Sequence, residues 1–217
     1  MSIFNGLRRA LGLGKKAEDR RISKGDDEMD VHEYEHALAE QRRAKDRFFK
    51  YDPASPLTDE QKKAFEGLEY YPPNLDLQFE LPLERHELVE TITIPTSTGD
   101  EQTYQKIGQV RFEVEGQPVT LQIYDTGHGD YFVPFRDATS GKETYGAGRY
   151  LEPFAIGRDI LLVDFNLAYN PYCAYNDAWS CPLPPIENWL KVPIRAGEKQ
   201  PKGAWVQHEE PPTQAAG

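Results

Sequence analysis

Two stretches of the chain crowd together side chains able to do chemistry. The first, Phe135 to Tyr150, carries Arg136, Lys142 and Arg149 beside Thr139, Ser140, Thr144, Tyr145 and three glycines. Residues 67–217 hold only 11 basic side chains, so three within this stretch is a concentration. Arginine forks, hydroxyls and glycine-exposed amides are what an anion or a phosphorylated ligand requires. The same residues also read as a hairpin, with Thr139-Ser140-Gly141-Lys142 as its turn and Arg136 paired to Asp137 or another acid. The second stretch follows the apolar run Ile160-Leu161-Leu162-Val163 and places Asp164 and Asn166 at a strand end, a frequent address for functional polar groups. Beyond it, Tyr169, Asn170, Tyr172, Tyr175 and Trp179 alternate with four prolines up to Pro185. That composition makes a rigid aromatic wall for a flat ligand. It equally makes a loop that covers the end of a β domain and satisfies itself through asparagine side chains.

Cys173 and Cys181 lie inside this second stretch. Two thiols with no histidine close in sequence fall short of a zinc site, so no metal is expected. Reduced, partly buried thiols are the expectation and a redox pair the alternative. Two further patterns carry less. His32-Glu33-Tyr34-Glu35-His36 matches the zinc-protease spacing, in which two histidines one helical turn apart hold the metal. Its setting is an acidic helix outside the β-rich region, and no convincing third ligand follows. Thr139-Ser140-Gly141-Lys142-Glu143-Thr144 resembles a phosphate loop, but no glycine stands five positions before Gly141, and Glu143 fills the Ser/Thr slot.

These residues must be positioned by elements readable from spacing. Asp30 with Glu33 signals a helix start, and no Gly or Pro interrupts the chain from there to Tyr51. The helix is expected to pack through Val31, Tyr34, Leu38, Phe48 and Phe49, and to end at Asp52-Pro53. Thr58 with Gln61 opens a short second helix. Beyond Tyr70, short β-branched and aromatic runs alternate with Gly, Pro, Asn and Asp, which predicts strands over 75–81, 88–94, 104–114, 119–124, 131–136, 143–150, 160–165 and 190–195. Glu115-Gly116 is placed to turn a hairpin. The expected organisation is a basic and polar tail (1–29), a helical extension (30–69), a β domain (70–199) and a disordered tail (200–217). The expected fold is mainly β, a small antiparallel barrel or sandwich with an N-terminal helical extension.

The 217 residues include 25 Lys+Arg and 36 Asp+Glu, a net charge of −11, which argues against a nucleic-acid partner. The first 66 residues are neutral overall, with 14 basic and 14 acidic side chains arranged in blocks. No run is long and apolar enough to span a bilayer. Ile3, Phe4, Leu7 and Leu11 form an apolar face with Arg8, Arg9, Lys15 and Lys16 beside it, a weak membrane-surface or partner-binding pattern over 1–16. Gly6, Gly12 and Gly14 weigh against a stable helix there, and a frayed tail is the expectation. The start of the chain lacks the apolar core of a secretory signal, so the expected address is cytoplasmic.

At the two dense stretches the chain resembles a known family. Phe135-Arg136-Asp137, Thr139-Ser140-Gly141 and Thr144-Tyr145-Gly146-Ala147-Gly148-Arg149-Tyr150-Leu151 are similar to its first block. Asp164-Phe165-Asn166, Ala168-Tyr169-Asn170-Pro171, Cys173-Ala174-Tyr175 and Cys181-Pro182-Leu183-Pro184-Pro185 are similar to its second, and Ile194-Arg195-Ala196-Gly197-Glu198 to its ending. The family is the uncharacterised prokaryotic domain of unknown function 1684, and the resemblance runs from about Arg47 to Lys199. Tyr172 departs from the family's Asn-Pro-Pro-Cys form. The resemblance implies a soluble prokaryotic protein and brings no activity, cofactor or catalytic residue with it.

The reading from the residues is a small-molecule site. Arg136, Thr139, Ser140, Thr144, Tyr145 and Arg149 would receive an anionic or phosphorylated group. Tyr169, Tyr175 and Trp179 would wall the apolar part, with Asp164, Asn166 and Asn170 orienting it. An enzyme is the alternative, either flavin-dependent redox chemistry or hydrolysis through Asp164 or Cys173. A structural or interaction protein, with Arg136 and Arg149 held in internal ion pairs, is the third reading.

Overall fold

The structure is a computed structural model and describes residues 31–127 and 130–203. The segment 1–16, Asp30, most of the C-terminal tail and the middle of the loop at Gly127–Asp130 therefore lie outside the described residues.

Helix α1 (Val31–Tyr51) has the expected length, and its buried stripe is Tyr34, Leu38, Lys45 and Phe49. Val31, expected to pack, is exposed, and the buried stripe begins at Tyr34. Helix α2 (Asp59–Ala64) starts on the expected capping box: the Thr58 hydroxyl accepts from the Gln61 N–H, and the Gln61 side chain accepts from the Thr58 N–H. Each of these bonds satisfies a donor that the first helical turn leaves free.

Eight strands follow: β1 (Gln78–Pro82), β2 (Glu84–Pro95), β3 (Glu101–Val114), β4 (Gln117–Asp125), β5 (Tyr131–Phe135), β6 (Arg149–Leu151), β7 (Phe154–Gly157) and β8 (Ile160–Asp164). They form two antiparallel sheets, a five-stranded meander β2-β3-β4-β5-β6 and a three-stranded sheet β1-β8-β7. The fold is thus mostly β and sandwich-like, and of the two architectures expected it is the sandwich, with no closed barrel among the described residues. Glu115 and Gly116 both adopt positive φ (52° and 73°) between β3 and β4, the two-residue turn whose twist matches the flanking strands.

The inner faces meet in one core. Leu81, Leu161 and Val163 of the small sheet join Val110, Phe112, Leu121 and Ile123 of the large one. Phe165, fully buried just after β8, lies 5.6 Å from Phe112 and 5.5 Å from Phe135, ring centre to ring centre. Leu38 of α1 enters the same core, while Phe49 joins a smaller cluster with Leu57, Phe65 and Tyr175.

Three strand expectations need correction. Residues 143–150 form a turn, and only Arg149–Leu151 pair in the sheet, because Gly146 and Gly148 break the run. Residues 190–195 form no strand: Val192 and Ile194 are buried, but Pro193 stands between them and the segment crosses the core as irregular chain. The 75–81 run begins as a 3-10 turn (Leu75–Leu77) capped by the Asn74 side chain, and pairing starts at Gln78. Strand β7 had no prediction at all.

Gly148 shows how tightly the first dense stretch is packed. Its φ is +103°, and a Cβ there would lie 2.5 Å from the Phe135 carbonyl oxygen and 2.9 Å from Pro184 Cγ. Strained backbone and overpacking act together, so Gly148→Ala is expected to cost about 2–3 kcal/mol. Urea denaturation followed by circular dichroism measures this directly. A loss below about 0.5 kcal/mol, the level of an ordinary surface change, would mean that the loop yields.

Candidate functional site

The second stretch builds one wall of a cavity of about 400 Å³. Tyr104 of β3, Phe132 of β5 and Tyr150 of β6 form its sheet side, and Tyr169, Tyr172, Trp179 and Pro182 its loop side. The rings pack on one another: Tyr104 on Phe132 at 5.4 Å, Phe132 on Tyr150 at 4.9 Å, Tyr150 on Tyr169 at 5.7 Å and Tyr172 on Trp179 at 4.9 Å. Burial raises the pKa of Tyr104 to about 12 and lifts Tyr150 and Tyr169 further, so these phenols stay neutral at physiological pH.

The opposite wall comes from α1, through Gln41, Arg42 and Lys45, together with Tyr70 and Glu198. Lys45 and Glu198 form a buried ion pair. Glu198 also accepts the Asn170 N–H at 2.8 Å and the Tyr175 hydroxyl at 2.7 Å. Glu152, also on the cavity, accepts the Tyr169 hydroxyl at 2.6 Å.

Arg42 differs from the other charges in the cavity wall. Its Nη1 donates to the Tyr71 carbonyl at 3.0 Å, and its guanidinium lies over the Tyr70 ring at 4.4 Å. Nε and Nη2 are buried with no protein partner, and no ion pair includes Arg42 among the described residues. The Tyr70 hydroxyl beside it is buried near Glu198 and makes no hydrogen bond of ordinary geometry. Burial depresses the Arg42 pKa, a sign that its charge is under-compensated. Buried donors left unmade cost free energy, which an oxygen-rich anion would return. Two guanidinium N–H groups and a phenol are a donor set suited to a carboxylate or a phosphate.

The sequence-predicted residues divide into three groups. Asn166, Tyr169 and Trp179 line the cavity, as does Cys181. Asn166 is also clamped to Asn74, whose N–H its Oδ1 accepts at 2.8 Å and whose carbonyl its Nδ2 meets at 2.8 Å.

The second group lies behind the wall. Asp164 accepts the Tyr34 hydroxyl at 2.7 Å, the Gln78 amide at 2.9 Å and the Asn166 N–H at 3.0 Å. Asn170 and Tyr175 bind each other and Glu198. The Tyr145 hydroxyl points at Cys173 Sγ, 3.9 Å away.

The third group is the rest of the first dense stretch, which apart from Tyr150 is not on the cavity. Arg149 is fully buried and donates to Asp137 at 3.0 Å, to the Ile194 and Glu198 carbonyls at 2.7 and 3.1 Å, and to the Ala196 carbonyl. Thr139 bonds Asp137 at 2.6 Å and Thr144 at 2.8 Å, and the Ser140 hydroxyl accepts the Asp137 N–H. Arg136 lies over the Trp189 ring at 4.4 Å. Glu198 joins the two constellations, with its carbonyl on Arg149 and its carboxylate on Lys45.

Sequence reasoning passed over Arg42, Lys45, Tyr70, Glu152 and Glu198. A signal existed for the first two. Tyr34, Leu38, Arg42, Lys45 and Phe49 recur at helical spacing, so the two cations continue an apolar stripe that faces the protein. His32 and His36 project on the exposed side of the same helix.

The model of a family described as a protein of unknown function, DUF1684, matches residues 63–199. That span holds the aromatic walls and Glu198, while Arg42 and Lys45 precede it. Among solved structures, the chain is similar to the solution structure of an uncharacterised protein from Haloarcula marismortui, with 36% identity and a TM-score of 0.60. The match covers 78% of this chain and 96% of that one. No curated protein matches the chain. No helix among the described residues is long and apolar enough to cross a membrane.

Proposed function

The chain belongs to the DUF1684 family, and from that premise we propose that it binds a small molecule carrying a carboxylate or phosphate on a flat apolar body. The observation that carries this reading is the pair of unpartnered, buried Arg42 nitrogens in the wall of an aromatic cavity. Arg42 and Tyr70 would take the anionic group. Tyr104, Phe132, Tyr169 and Trp179 would sandwich the apolar body, with Asn166 at its edge. The volume lies within the range usual for small-molecule sites, and the lining, apolar with a few convergent polar groups, is of their kind. Arg149, Thr139 and Thr144, first read as the anion receptor, enter this proposal only as the frame that fixes Glu198. The internal bonds of Asp164 support binding over hydrolysis by that residue.

Proton–nitrogen NMR of the arginine Nε and tryptophan indole groups tests the proposal, with phenyl phosphate and benzoate as probes and p-cresol as the uncharged control. One of the two anions is expected to shift the Arg42 Nε–H and the Trp179 indole saturably, and more tightly than p-cresol. Arg42→Gln is expected to weaken that binding roughly 10- to 100-fold, the worth of a charged hydrogen bond. Silence of both resonances at roughly 10 mM, where even a millimolar site is mostly filled, would overturn the proposal. Equal binding by Arg42→Gln would do the same.

A further inference from the structure

Cys173 and Cys181 are both free and almost fully buried, and they meet across the aromatic loop. Cys173 sits in a 3-10 turn (Tyr172–Ala174), and its N–H donates to Cys181 Sγ at 3.2 Å. Cys181 is pinned on its other side: its N–H donates to the Ser97 hydroxyl at 3.1 Å, and its carbonyl accepts the Ser97 N–H at 2.8 Å. The Tyr145 hydroxyl faces Cys173 Sγ at 3.9 Å, so each of the two sulfurs has a polar donor beside it. Cys181 lines the cavity, which gives a water-sized reagent a route to the pair. Both thiols sit in an apolar cluster, but each has the other cysteine and a polar donor beside it, so neither is isolated in the way of an inert structural thiol.

We propose that Cys173 and Cys181 are a redox-active dithiol that closes to a disulfide when hydrogen peroxide enters the cavity. One sulfur attacks a peroxide oxygen, the O–O bond breaks, and the departing oxygen leaves as water, so that the cysteine becomes a sulfenic acid. The second thiol then attacks that sulfur. The S–S bond forms, the S–O bond breaks, and the hydroxyl leaves as a second water with the thiol's proton. The two thiols lose two electrons, which reduce one peroxide to two waters. Cys173 is the better first nucleophile: the hydrogen bond from the Cys181 thiol, helped by the Ser97 and Tyr145 hydroxyls, outweighs burial and lowers its pKa. The Cys181 thiol is pushed up, as the donor in that bond and by burial. The residues between the two sulfurs include Trp179, so closure also draws on one wall of the cavity.

The test is intact-mass and peptide analysis of the whole protein after brief exposure to hydrogen peroxide under native conditions. The expected result is a loss of about 2 Da, two hydrogens, with a Cys173–Cys181 cross-linked peptide and full reversal by dithiothreitol. Cys173→Ser and Cys181→Ser are each expected to lose the cross-link, and in Cys181→Ser the remaining Cys173 stops as a sulfenic acid trapped by dimedone. Two thiols that stay fully alkylatable after unfolding would overturn the proposal. So would independent oxidation of each to sulfinic acid without the cross-link. Both outcomes are read on sulfur alone, so they are independent of what Arg42 binds.

Discussion

Arg149→Ala is expected to lower stability by about 3–5 kcal/mol, roughly 10 °C in melting temperature for a chain of this size. The reason is what the guanidinium leaves behind. Asp137 is buried and would lose its counter-ion, retaining only the N–H groups of Thr139 and Ile194 and the Thr139 hydroxyl. The carbonyls of Ile194, Ala196 and Glu198 would each lose a donor in a site closed to water. The segment's own ladder pairing is limited to a single bridge between Glu198 and Tyr70, so Arg149 supplies the bonds that a longer strand would make. Arg149→Lys is expected to recover little, since one ammonium cannot reach acceptors spread around a planar fork. Urea unfolding monitored by circular dichroism gives the number. A loss of less than about 1 kcal/mol would mean that the Ile194–Glu198 segment is held by something else.

The second large effect concerns the ion pair beside the aromatic cavity. Lys45→Met is expected to cost about 3–5 kcal/mol, because it strands the Glu198 carboxylate, whose side chain is 2% exposed, without its ion-pair partner. The Lys45→Met/Glu198→Gln double variant is expected to recover most of that loss. Its uncharged amide can still accept from the Asn170 N–H or the Tyr175 hydroxyl, and no ion remains to be desolvated. Equilibrium unfolding of the two single variants and the double variant forms a complete cycle. Additive losses, with the double variant worse than either single one, would show that the two residues contribute separately and that the pair is not the fastening it resembles.

Legibility in the sequence followed the physics of each element. Val110 to Val114 and Val119 to Ile123 alternate cleanly because one face of each strand is buried, and Glu115-Gly116 supplies the positive φ their turn needs. Thr58 and Gln61 declared α2 because the capping bonds are local. Strand β7 was hidden because Pro153 precedes it and Gly157 ends it, and only β8 beside it makes it a strand. The 190–195 segment misled for the opposite reason. Its alternating burial comes from side chains reaching into the core, whereas its Ile194 carbonyl is served by Arg149 and its Val192 carbonyl by the Ala138 N–H, not by a neighbouring strand. The dense stretches were visible as chemistry, but composition does not say which way an arginine points. Arg149 turns inward to a carboxylate twelve residues away, and Arg42, one of several cations in a charge block, turns to the cavity.

The way α1 is attached also orders events in time. Within the large sheet every hydrogen-bonded neighbour is also a neighbour in sequence, so that sheet can form by closing short loops. The cavity cannot. Lys45 meets Glu198 across 153 positions, and Tyr34 meets Asp164 across 130. Such closures come late in a folding reaction, since their entropy must be met before their contacts return anything. A chain with finished sheets and an undocked helix would have a β core and no receptor. Under the proposed function, recognition at Arg42 would be confined to molecules that have completed folding, and a ligand held there would draw the population toward that state by mass action.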